Sequence, residues 1–286
     1  PAGYVYRAGV MQSKSMDQEL HVDEARFDSL IRLGKEKAKG LMERAGGAKW
    51  GHFFVGTAEG YDSYAHVYRG EWLSGTLRGI ASVSSFKDAI RLDSSMYDAY
   101  GGVGAFDYWR SRKTEYFNWI PFIGDARPEA FSFLKKTIDR GLYNRYTALS
   151  MLAAIYTDAG YYDKAIECSR SGLARYPANQ VFLWALATAW QKLGNSREAA
   201  DAYERLIRAF ADEKENNRYN EIVCRLNLSR FKLELRDTLQ ARENLVAILK
   251  FHPGDFPVEL QSRAQDKLEQ AKELMRRVLD GHSSNE

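Results

Sequence analysis

Apolar residues in this chain recur at intervals of three and four along most of its length, the spacing that places them on one face of an α-helix. Asp23 is a predicted N-cap for a first helix with Phe27, Leu30, Ile31, Ala38 and Leu41 on one side, and Gly46 and Gly47 break it. A second helix carries Trp50, Phe53, Phe54, Ala58, Tyr61, Tyr64, Ala65 and Tyr68, an aromatic stripe expected to fill the space between helices. A third runs from Ser74 to Leu92, with Leu77, Ile80, Phe86, Ala89 and Ile90 expected inward. Residues 1–20 show no such period; Gly3, Gly9, Ser13 and Ser15 make them a loose arm ahead of divergent aromatic helices over 21–95.

Windows 146–179 and 180–213 then carry the same residue types in the same order, 34 positions apart. Leu149 pairs with Leu183, Leu152 with Leu186, Ala153 with Ala187, Tyr156 with Trp190, Gly160 with Gly194, Ala165 with Ala199 and Leu173 with Ile207. A fixed period of this length marks stacked supersecondary units rather than one closed core. After Ala211 the period slips by eight residues and resumes, with Leu228, Ser229, Ala241, Leu245 and Leu249 in register. Upstream, 96–145 reads as a further unit opened by an insertion over Thr114–Arg127, since Gly104 and Ala130 take the small positions of its two helices. Pro121 and Gly124 make the insertion a loop. The last helix starts near Pro257, with Leu260, Ala264, Leu268, Ala271, Leu274 and Val278 on a narrow stripe and charge elsewhere. One apolar edge and a polar outside suit a terminal cap over 256–286.

These windows resemble the tetratricopeptide repeat (TPR). Tyr156, Gly160, Tyr162, Ala165, Leu173 and Pro177 fit its pattern, whereas Ser169 takes an aromatic slot and Gly172 a small-residue slot. In the second window Ala211 replaces the closing Pro and Ser196 the usual Tyr; in 222–255 Arg225 stands at a bulky position and Arg236 where Gly is expected. With its aromatic helices ahead of Tyr97-Asp98-Ala99-Tyr100, the chain is similar to bacterial, often exported, tetratricopeptide proteins. The resemblance implies an all-α solenoid of antiparallel helix pairs whose first helices line a concave groove. It also implies binding as a generic role and an exported or periplasmic setting, although a fold alone does not establish a function.

Charge adds little, because 41 basic and 38 acidic residues leave a formal net charge of +3. That balance gives no concentrated basic stripe for phosphates, so no nucleic-acid partner is expected. No run reaches the ~18 apolar residues a membrane span needs. No charged-then-apolar leader opens the chain, and its start at Pro1 rather than Met is compatible with removal of one. Cys168 and Cys224 read as buried free thiols, with no His or Cys at metal spacing.

Groove positions follow from the repeat register. They are Thr147, Met151, Ala154 and Asp158; Trp184, Thr188, Gln191 and Lys192; Asn227, Arg230 and Glu234; and, from the opened repeat, Asp98, Tyr108, Trp109 and Arg112. The partner-binding set drawn from them is Tyr108, Trp109, Arg112, Trp184, Thr188, Gln191, Asn227 and Arg230. A carboxylate clamp is not expected, since Ser150 and Ala154 replace the polar groups it needs. The loop 116–123 holds four aromatics and two isoleucines and reads either as a plug folded onto the groove or as a docking finger for a partner or membrane. Catalysis finds little support: the five histidines are scattered, no phosphate-binding loop follows a strand, and Glu59, Asp62 and His66 read as a solvated helix face. No cofactor or metal is expected. The leading reading is a non-enzymatic interaction scaffold with a protein or peptide in its groove. The alternative is a small-ligand or lipid carrier whose pocket is formed by the N-terminal aromatic helices and loop 116–123. If the register is right, Ala199→Leu will overpack a helix crossing and cost about 1–3 kcal/mol; an unchanged melting temperature would refute the register.

Overall fold

The repeat pattern appears in a computed structural model as helices joined by short turns. It describes residues 1–114, 125–213 and 216–283. The described residues contain the helices α1 (Ala2–Asp17), α2 (Glu24–Met42), α3 (Ala48–Tyr68), α4 (Trp72–Leu92), α5 (Tyr97–Lys113), α6 (Arg127–Arg140), α7 (Arg145–Asp158), α8 (Tyr162–Arg175), α9 (Gln180–Lys192), α10 (Ser196–Ala211), α11 (Tyr219–Glu234), α12 (Thr238–Ile248) and α13 (Val258–Ser283). No strand occurs among them. Contacts gather the chain into two units, Pro1–Met16 with His21–Leu152, and Asp17–Leu20 with Ala153–Glu286. The division falls inside α7. In the first unit α2, α3, α4, α5 and α6 pack in succession, and in the second so do α8 to α13. This is the all-α stacking of successive helices anticipated from the period.

The expected loose arm is instead the helix α1, which buries Val5, Ala8, Gly9 and Gln12 at i, i+3, i+4 and i+7. Its docked face is built from small and amide side chains, so no hydrophobic period betrays it. A methyl on Gly9 would lie 2.5 Å from the Tyr61 ring, and one on Gly34 would lie 2.7 Å from the Val5 side chain. The Gln12 amide donates to the Tyr61 carbonyl at 3.0 Å. The segment Asp17–Leu20 belongs to the second unit, where Asn220 donates to the Asp17 carbonyl at 2.5 Å and Arg263 meets Glu19 at 2.6 Å. Asp17 has its side-chain carboxyl pushed up to about 6 by burial and by the nearby Glu213.

Another expectation inverts in α4. Its buried face is Gly75, Gly79, Ser82, Val83, Phe86 and Ala89, while Leu77 and Ile80, expected inward, face solvent. Small residues at i, i+4 and i+7 let α4 close on α3, where the Ser82 hydroxyl donates to the Gly56 carbonyl at 2.7 Å. A methyl on Gly75 would sit 2.6 Å from the Val67 side chain and 3.0 Å from the Ser63 carbonyl oxygen. Close backbone approach therefore decides which face is buried. The first half of the aromatic stripe of α3 packs as expected, with Phe53 5.1 Å from Phe54 and 6.0 Å from Phe86 and Trp50 6.2 Å from Phe54, centroid to centroid, whereas Tyr64 and Tyr68 are exposed.

The turns of four helix pairs repeat one hydrogen-bonding pattern. Glu71 donates its backbone N–H to the His66 carbonyl, Tyr161 to Tyr156, Asn195 to Trp190 and Asp237 to Lys232, all within 2.8–3.0 Å. This six-to-one closure needs a left-handed residue just before the donor. Gly70, Gly160 and Gly194 take it with φ of 81°, 78° and 71°, and Arg236 takes it with φ of 60°. Arg236 thus occupies the glycine position of its repeat in glycine's conformation. Helix α13 buries Leu260, Ala264, Leu268, Ala271 and Val278 in one cluster with Tyr219, Ile222, Leu226, Leu245 and Ile248. Cys168 and Cys224 are buried and form no disulfide. Because a left-handed residue bearing a Cβ is strained by about 1–2 kcal/mol, Arg236→Gly will raise stability despite the greater unfolded-state freedom of glycine. The net gain in urea denaturation should be about 0.5–1 kcal/mol, and a loss would mean that the arginine side chain holds the turn.

Candidate interaction surface

In the second unit the repeat period places Trp184, Thr188 and Gln191 at i, i+4 and i+7 on α9, and Asn227, Arg230 and Glu234 at i, i+3 and i+7 on α11. Between the two helices, α10 supplies Tyr203, buried and stacked on Phe231 at 5.8 Å between centroids. Trp184 meets the same ring edge-on at 5.9 Å and Phe210 at 6.5 Å. The Tyr203 hydroxyl reaches out of this aromatic layer and donates to Gln191 Oε1 at 3.2 Å. Burial, with the neighbouring Cys224, pushes the phenol up to about 12, so it stays a neutral hydrogen-bonding group across the ordinary pH range.

A polar rim lies over these rings. Asn227 and Arg230 flank the Tyr203 phenol, and Arg230 donates to Asn227 Oδ1 at 3.2 Å and to Gln270 Oε1 of α13 at 2.8 Å. Gln191 and Arg230 are exposed, while Trp184, Thr188 and Asn227 are half-buried. Four predicted residues, Trp184, Gln191, Asn227 and Arg230, therefore converge on one neighbourhood with Thr188 on the same face. An amphipathic ring, two amides and a guanidinium beside it can hold an extended backbone and an acidic or apolar side chain. Tyr203 and Gln270 were not among the predicted residues. Tyr203 sits in a second-helix core slot that the repeat register marks only as bulky, and Gln270 comes from the cap, outside the repeats.

The opened repeat behaves differently. Tyr108, expected to face a partner, is core: it is almost fully buried and packs edge-on against Phe131 at 5.8 Å. Trp109 is exposed and Arg112 half-buried, both on α5 of the first unit. Asp98, also projected onto the groove, is buried. Its carboxylate accepts three backbone N–H groups, from Leu142 at 2.9 Å, Tyr143 at 2.9 Å and Asn144 at 2.7 Å. It ties α5 to the turn that starts α7. The loop 116–123, read as plug or finger, lies outside the described residues.

Glu59 and Asp62 do not form the solvated face anticipated for them. Both are buried between α2 and α4, where Lys35 Nζ lies 3.0 Å from Glu59 and 3.8 Å from Asp62. Arg78 lies 3.4 Å from Glu59 and 3.3 Å from Asp62. His66 contacts Asp62 at 3.5 Å and also Glu71, which Arg69 approaches at 3.4 Å. Each carboxylate is met by cations from neighbouring helices, an arrangement that joins α2, α3 and α4. No group of His, Cys, Asp and Glu among the described residues is placed to hold a metal ion.

Among solved structures, the chain is similar to PilW, described as a widely conserved type IV pilus biogenesis factor, at 16% identity and a TM-score of 0.48, covering 82% of this chain and 97% of that one. No protein-family model matches the chain. No curated protein matches it by sequence.

Asp98→Ala will leave three backbone donors without their acceptor and cost about 2–3 kcal/mol. Asp98→Asn, which keeps one acceptor oxygen, will cost less; equal urea midpoints for the two variants and the parent would show that water replaces the carboxylate.

Proposed function

We propose that this chain is a non-enzymatic protein-interaction scaffold that holds a partner segment in a concave groove lined by the first helices of its repeats. The supporting observation is the surface on α9 and α11. There Trp184, Gln191, Asn227 and Arg230, drawn from two successive repeats, meet around the Tyr203 hydroxyl. Repeats bring equivalent positions into line, so a chain segment laid across them meets the same kind of contact twice. The chemistry of that surface suits a peptide: an aromatic body for an apolar side chain, amides for backbone groups and a guanidinium for a carboxylate. On this reading a protein or peptide is the ligand, and nothing about the surface calls for a cofactor.

The aromatic rings of the first unit support this reading over a carrier. Trp50, Phe53, Phe54 and Phe86 pack on one another, and Tyr6 adds an edge contact with Phe54 at 6.3 Å.

Affinity purification from native extract, with mass spectrometry of proteins and small molecules, is the test. A reproducible protein partner is expected, and Arg230→Glu, an exposed change, will weaken its capture about five- to thirtyfold. Recovery of a stoichiometric small molecule with no protein partner, or undiminished capture by both Arg230→Glu and Gln191→Lys, would overturn the proposal.

A further inference from the structure

The outer face of α4 carries large apolar side chains that are more than half exposed. Trp72 is 58% exposed, Leu73 75%, Leu77 59% and Ile80 52%. Trp109 of α5, 40% exposed, adds a second indole near the same end, because Lys113, one turn beyond Trp109, places its ammonium 4.6 Å above the Trp72 ring. In a helix packed only to stay in water, the large apolar residues would be inside and the small ones outside. Here Gly75, Gly79 and Ser82 hold α4 on its neighbours and the leucines point away. A contiguous apolar face of this kind marks an interaction surface.

Charge indicates what the face meets. Leu73, Ile80, Ser84, Lys87 and Arg91 fall along one line of α4 at i, i+7, i+11, i+14 and i+18, so the apolar half continues into an exposed basic half. Together α4 and α5 hold six basic residues (Arg78, Lys87, Arg91, Arg110, Arg112, Lys113) and three acidic ones (Asp88, Asp98, Asp107). Of these bases Arg78 is held by Glu59 and Asp62 of α3, and the exposed cations beside the apolar face are Lys87, Arg91 and Lys113. The acids of the two helices are occupied within the chain: Asp98 by the turn before α7, Asp107 by Arg110 at 3.5 Å and Asp88 by Arg91 at 2.9 Å.

We propose that the outer face of α4, with Trp109 and Lys113 of α5, is a peripheral docking surface for an anionic lipid bilayer. Leucine and isoleucine enter the acyl boundary, indoles take the headgroup level they prefer, and the lysines and arginines pair with lipid phosphates. No helix among the described residues is long and apolar enough to cross a membrane, so the contact is with the surface. It uses the first unit and leaves the α9–α11 surface out.

Flotation of the full chain with phosphatidylcholine vesicles, with and without phosphatidylglycerol, tests this. Binding is expected only with the anionic lipid, weakening as salt is raised, with brominated lipids quenching tryptophan fluorescence in the parent and markedly less in the double variant Trp72→Phe, Trp109→Phe. The triple variant Leu73→Ser, Leu77→Ser, Ile80→Ser, whose sites are exposed and whose melting curve should match the parent, will bind about tenfold or more weakly, as will Lys87→Glu combined with Arg91→Glu. Arg230→Glu will float like the parent. Absence of flotation, flotation equal on neutral vesicles, or flotation unchanged by the triple variant would overturn the proposal. So would a parental dimer in sedimentation that the triple variant dissolves without any lipid binding, which would assign the face to a second copy.

Discussion

Where Gly104 of α5 crosses α6, an added methyl would stand 2.8 Å from the Ala130 carbonyl oxygen, and where Gly172 of α8 faces α9 it would stand 2.4 Å from the Phe182 ring. Similar limits act at Gly75 and Gly79 against α3 and α5, and Ala153, Ala165, Ala187 and Ala199 are fully buried. Small residues at the crossings let neighbouring backbones approach, and that approach sets the spacing of each pair. The large side chains then fill what remains, to the density an organised interior requires. Burial in this chain consequently follows residue size at the crossings as much as hydrophobicity.

The two surfaces of interest are consequences of that constraint. In the second unit the crossings keep α9, α10 and α11 in register, so Trp184 and Phe231 clasp Tyr203 and its hydroxyl emerges among Gln191, Asn227 and Arg230. In the first unit the same preference for small residues inside turns Leu73, Leu77 and Ile80 outward. One rule yields a polar, aromatic-backed surface in one place and an apolar, basic-edged one in the other.

Polar groups reinforce the stacking where the chain changes direction. Asp98 gathers three backbone donors before α7, and the repeated six-to-one turn closes four helix pairs with a left-handed residue at the same position. Lys35 and Arg78 hold Glu59 and Asp62 between helices, where buried carboxylates without cations would be costly. Chemistry that resembles a site in the sequence, such as Glu59, Asp62 and His66, is here committed to holding helices together.

The sequence alone marked the helix pairs from residue 146 onward, because a 34-residue period and alanines at fixed offsets recur there. It also marked Trp184, Gln191, Asn227 and Arg230, since repeat register is a local property of the chain. It did not reveal α1, whose docking face of Val5, Ala8, Gly9 and Gln12 lacks a hydrophobic period. Nor did it place Tyr108, Asp98, Leu77 and Ile80 on the correct side of their helices. Helical spacing defines which residues share a face, but which face turns inward depends on how closely two backbones can meet. That distance is set by glycines and side chains brought together from different helices, and only the tertiary structure decides it.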